Sequence, residues 1–188
     1  MQTPSHFLIS ALVSKRFGKG MALPIHTFAF LTGSVLPDIP FTLLTLGYEA
    51  YYGWFKLTPP NGGSVMEYLH FDLFFVDPVW IISHNFFHSL VVNVILLCLG
   101  YFAFKRAYRW GIPIFWLSGS MMLHTIIDIF THNRDGPLIF FPLNWTYRFA
   151  SPVSYWEVDH YGLVFMIFEY ALDLTILGYL GYHKWRRV

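Results

Sequence analysis

Four of the nine histidines in this chain fall into two sets at helical spacing. His84 and His88 are four positions apart, and His124, Asp128 and His132 repeat that interval. On a helix such residues share a face, about 40° apart. Imidazole and carboxylate groups suit zinc, iron or manganese, and an i, i+4 pair lets one rigid element offer two donors to a single ion. Asp38, in Pro37-Asp38-Ile39-Pro40, and His6, in Thr3-Pro4-Ser5-His6, add two further candidates. A catalytic zinc keeps three protein ligands and an open position for water, whose pKa falls to about 7. Seven candidates exceed that need, leaving room for a second ion or for a supporting acid and a general base. The chemistry expected is attack by metal-bound hydroxide, with His132 protonating the leaving oxygen and Asp38 as a second candidate catalytic group.

The elements that must position these groups are read from composition. The chain has 188 residues, of which 55% are hydrophobic, 21% aromatic and only 12% charged. A soluble domain carries about 25% charge, so this chain has about half the charge a water-facing surface needs. Its mean hydropathy is +0.47. These values exclude a disordered chain and argue against a soluble enzyme. A formal net charge of +1 supplies no basic field for nucleic acid. The one cysteine, Cys98, can form neither an internal disulfide nor a thiolate zinc site.

Three stretches are long enough for the roughly 20 residues that cross a bilayer as helix. They are Val79 to Phe104, Trp110 to Thr131 and Tyr161 to Tyr182. Met21 to Leu36 is a fourth candidate, and Pro4 to Phe17 is a short stretch that enters part-way. Phe41 to Leu57, rich in Tyr and Trp, reads as an interfacial helix. Of twelve Lys and Arg, nine fall in three clusters: Lys15, Arg16 and Lys19; Lys105, Arg106 and Arg109; Lys184, Arg186 and Arg187. Placing all three in the cytoplasm satisfies the positive-inside rule. The C-terminus is then cytoplasmic, and the histidines and acids gather towards the outer face. The expected fold is all-α: one domain over residues 1–188, a polytopic bundle with four to five membrane-embedded helices plus the interfacial one.

The order Thr3-Pro4-Ser5-His6, Leu36-Pro37-Asp38-Ile39, Ser83-His84-x-x-x-His88-Ser89 and His124-x-x-x-Asp128-x-x-Thr131 resembles the LexA-regulated, YdjM-like family of bacterial inner-membrane metal-dependent hydrolases. The resemblance implies a metal site built from His6, Asp38, His84, His88, His124 and Asp128. It also suggests a distant likeness to the all-helical zinc phospholipase C and nuclease group, which cleaves phosphoesters. The family pattern carries an acid two residues after Asp38, where this chain has Pro40, and an Arg after the first histidine of the third motif, where it has Asn85.

The functional expectation is a membrane-embedded hydrolase holding one or two divalent ions, zinc first and iron or manganese otherwise. It acts on a phosphoester or ester of a lipid-like substrate reached from the bilayer, with no role for nucleic acid. The alternative is a non-catalytic membrane protein binding a metal or haem, or a proton-coupled transporter using Glu169 and Asp173, which share a face of the last span.

Overall fold

The computed structural model describes residues 1–18 and 23–186. It is 66% helical, and among the described residues the only β-type pairing is the isolated bridge between Leu138 and Arg148. The all-α expectation is met. The described residues form eight α-helices in chain order: α1 (Thr3–Phe17), α2 (Thr27–Gly33), α3 (Ile39–Phe55), α4 (Val65–Glu67), α5 (Pro78–Asn85), α6 (Leu90–Lys105), α7 (Gly111–Thr131) and α8 (Gly162–Trp185). A π-helical turn over Tyr68–Leu73 continues α4.

Local chemistry sets many of these boundaries. The Asp77 carboxylate accepts from the Val79 and Trp80 N–H groups at 2.8 and 3.2 Å and so starts α5. Ser89 does the same for α6 through the Val92 N–H at 3.2 Å, and Ser64 with Glu67 forms a capping box on α4. Lys56, at φ 51°, closes α3 in the left-handed region.

The centre of the molecule is α7, against which α2 and α6 pack. Close approach depends on absent side chains: a Cβ on Gly100 or Gly111 would collide with the facing backbone of α6 and α7, and one on Gly33 with the Leu117 carbonyl. The buried face of α1 is wholly polar, made of Ser5, His6, Ser10 and Ser14. α8 buries only Gly162, Glu169 and Ile176, a line of residues seven apart.

The number of membrane-embedded helices differs from the expectation of four to five. Among the described residues two helices, Gly111–Thr131 and Gly162–Trp185, are long and apolar enough to cross a membrane, or three spans if α5 and α6 count as one broken span. The 15 residues of α1 and the 7 of α2 are too few for about 30 Å of hydrocarbon. Of the Met21 to Leu36 stretch, Met21 and Ala22 lie outside the described residues, as do Lys19 and Arg187.

Val79 to Phe104 is not one helix. It bends by 47° between α5 and α6. Partners far away in sequence hold the bend: the Asn85 Oδ1 accepts from the Leu138 N–H at 2.6 Å, and the Ser89 hydroxyl donates to the Phe141 carbonyl. Asn93, from the second turn of α6, donates to the Phe87 carbonyl at 3.0 Å. The loop that follows α7 thereby packs on α5, where Ile81, Leu138 and Phe141 form a small buried apolar cluster.

Candidate metal centre

Four donor groups converge where three elements meet. His124 and Asp128 come from one face of α7, His88 from the bend between α5 and α6, and Asp38 from the residue preceding α3. Their donor atoms all lie within 4.8 Å of one another. The two Nε2 atoms of His88 and His124 are 3.1 Å apart. Asp38 Oδ1 is 3.3 Å from His88 Nε2 and 3.4 Å from His124 Nε2. Asp128 Oδ2 is 3.3 Å from His88 Nε2 and 3.0 Å from His124 Nε2. A tetrahedral ion with ligands at about 2.0–2.1 Å has donor–donor edges of about 3.3–3.4 Å; three of these five separations match that size, and the other two, at 3.0 and 3.1 Å, are slightly shorter.

The opposite sides of the rings explain why Nε2 faces inward. His88 Nδ1 lies 2.6 Å from the His84 carbonyl, and His124 Nδ1 lies 2.7 Å from the Ser34 carbonyl. A carbonyl only accepts, so both Nδ1 atoms carry hydrogen and donate, leaving the neutral rings with bare Nε2 lone pairs. Two lone pairs 3.1 Å apart, between two carboxylates, are relieved by a proton or a metal cation among them. Protonating both rings would set two cationic nitrogens at that separation, whereas one divalent cation replaces both protons. The residues therefore fit a divalent ion.

Each carboxylate has its second oxygen held by the first turn of α1. Thr3 Oγ1 donates to Asp38 Oδ2 at 2.5 Å. His6 Nε2 lies 2.9 Å from Asp128 Oδ1, and the Met1 nitrogen is 3.1 Å from the same oxygen. The His6 ring also stacks on that of His124, with centroids 3.6 Å apart.

Beside this group is a cavity of about 1170 Å³. Asp38, Asp128, His84 and His132 line it near the donors; Phe41, Phe71, Phe74 and Phe75 form an apolar wall, and Arg134, Asp135, Trp156 and Glu157 a polar one. His132, just past the end of α7, places Nδ1 3.0 Å from the Asp128 carbonyl, so its Nε2 is the nitrogen left to exchange protons. Burial holds the His132 pKa below the usual imidazole value. Tyr155 packs on His132 at 4.7 Å between centroids, and burial raises its phenol pKa. Arg148 stacks over Phe74 and Phe75 at 5.2 and 5.6 Å and donates to the Gly136 carbonyl. Burial lowers its pKa to about 10, and it stays charged at neutral pH.

Of the residues singled out from sequence, the structure gathers Asp38, His88, His124 and Asp128. His6 is one step outside, on Asp128. His84 supplies a backbone carbonyl to His88, while its buried Nε2 has no hydrogen-bond partner among the described residues. His132 lies beyond Asp128, on the cavity wall. Thr3 and the Ser34 carbonyl were not among the candidates. Thr3 sits inside the first motif, whereas a backbone carbonyl leaves no mark on a sequence. Asn85, standing where the family pattern has Arg, is wholly buried and ties the loop at Leu138 to α5.

A profile of the YdjM inner membrane protein family matches residues 1–187. No curated protein and no solved structure matches the chain.

Proposed function

The chain belongs to the YdjM inner membrane protein family, and from that premise we propose that it is a membrane-embedded, metal-dependent hydrolase acting on a lipid-like substrate. The observation that carries this reading is that the Nε2 atoms of His88 and His124 lie 3.0–3.4 Å from each other and from an oxygen of both Asp38 and Asp128. A divalent ion, zinc by donor chemistry and iron or manganese otherwise, supplies Lewis acidity and activates water at neutral pH. It also offsets the cost of two carboxylates in an apolar surrounding.

The chain's own groups do the rest. Asp38 and Asp128 line the cavity, and with His88 and His124 they would hold the ion beside it. His132, through Nε2, takes the proton of the attacking water and returns it to the leaving oxygen. Phe71, Phe74 and Phe75 give an acyl chain an apolar wall next to the donors. The bond broken is a phosphoester, as in the zinc phospholipase C and nuclease group that the motif order resembles, or a carboxylic ester.

Orientation follows from charge. Lys15 and Arg16 lie in the last turn of α1, Lys105 in that of α6 and Lys184 in that of α8. His88 lies just before the opposite end of α6, His124 and Asp128 lie towards the end of α7, and the turn of α1 that holds the two carboxylates is the one opposite Lys15 and Arg16. With the basic ends in the cytoplasm, the centre is towards the outer face and residues 1–188 act as one domain.

The test is metal content per chain in detergent-purified protein, for wild type beside His88→Ala and His124→Ala. About one equivalent of zinc, iron or manganese in wild type, absent from both variants, supports the centre. A screen of lipid phosphodiesters and esters then tests the chemistry. A wild type that takes up no ion on titration overturns the hydrolase reading.

A further inference from the structure

α8 turns an apolar surface to its surroundings almost everywhere, and its one wholly buried polar side chain is Glu169. A carboxyl group at that depth is costly unless it is paired. Its Oε1 accepts from the Gln2 N–H at 2.7 Å, at the residue that opens α1. One turn further along α8, Asp173 Oδ2 accepts from the Ser5 hydroxyl at 2.8 Å. Both acids of α8 thus grip the start of α1, where the positive end of a helix dipole favours negative charge.

The gripped turn is the one that serves the centre. Thr3, between Gln2 and Ser5, holds Asp38 Oδ2, and His6 holds Asp128 Oδ1. The two oxygens left over are those facing His88 and His124. Rotating the first turn of α1 would release both carboxylates together.

The geometry points to Glu169, supported by Asp173, as a positioning residue for the metal centre. It fixes the first turn of α1, and that turn sets the orientation of Asp38 and Asp128. The inference rests on the metal reading above.

Zinc affinity of the full chain in detergent, measured by chelator competition, tests it. Supporting residues of this kind change metal affinity by about 10- to 100-fold, and that loss is expected for Glu169→Ala. Glu169→Gln, which retains an acceptor at Oε1, should stay within about threefold of wild type. Thr3→Val removes the bond downstream, so in Thr3→Val/Glu169→Ala the two losses overlap rather than multiply. Unchanged affinity in Glu169→Ala, an equal loss in Glu169→Gln, or fully multiplicative losses in the double variant each overturn the proposal. Should Glu169→Ala prove polydisperse, Ser5→Ala, which removes only the bond to Asp173, takes its place: about a threefold or larger loss is expected, and no loss overturns it. A wild type without zinc affinity sinks the metal reading and this inference together, whereas a zinc-binding wild type with an indifferent Glu169→Ala sinks this inference alone.

Discussion

The two helices long enough to cross a membrane unaided, α7 and α8, solve opposite problems. In α7, 44% of the apolar stretch is buried; in α8, 11%. α7 buries Ser118, Ser120, His124, Thr125 and Asp128, so much of what it hides is polar. α8 hides a glycine, an isoleucine and one acid. A helix surrounded by other helices can carry hydrogen-bonding groups because its neighbours answer them: Thr125 lies against Asn93 at 3.3 Å, and Ser120 against Ser10 at 3.4 Å. A helix facing lipid has no such partners and must stay apolar except where it touches protein. Burial in a membrane protein thus marks where polarity is tolerated.

The sharpest way to break this comparison is at the polar face of α7. Asp128→Ala removes a donor and strands His6, so zinc should fall from about one equivalent per chain to below about a tenth, by mass spectrometry of metal content. In the same preparations a chelator should lower the wild-type melting temperature and leave that of Asp128→Ala unmoved, because a ligand stabilises only the state that binds it. Next in size is Asn85→Ala. It leaves the Leu138 N–H buried without its acceptor, at a cost of about 1–3 kcal/mol in thermal or denaturant unfolding. A Cβ at Gly100 meets the Phe115 backbone; Gly100→Ala should cost about 1–3 kcal/mol by forcing α6 from α7. The smallest effect belongs to α8. A Cβ on Gly178 has nothing within 4 Å, so Gly178→Ala should alter stability by no more than about 1 kcal/mol, in the favourable direction, with zinc content unchanged. A large loss there would mean that α8 is covered by protein.

How much of this was legible in the sequence depends on the reach of each contact. His124 and Asp128 meet because the helical repeat places them on one face, and spacing reveals that. Asp38 stands out as an acid between prolines. The bend that brings in His88 was not legible, since Asn85 finds its partner 53 residues away and Ser89 finds its own 52 away. A run without formal charge therefore read as one straight span. For the same reason the i, i+4 pair His84 and His88 looked like two ligands of one ion, whereas His84 contributes its carbonyl. Hydropathy also overstated the number of membrane-embedded helices, because among the described residues of the Met21 to Leu36 stretch only the 7 of α2 are helical.

The grip of α8 on α1 joins groups 167 residues apart, the Gln2 N–H and the Glu169 carboxyl. During synthesis the first of these leaves the ribosome long before the second exists. Asp38, His88, His124 and Asp128 are all synthesised before Glu169, while the opening turn of the chain still lacks that partner. On the role inferred for Glu169, a chain stalled before its last helix would hold every donor but not the brace that aligns them.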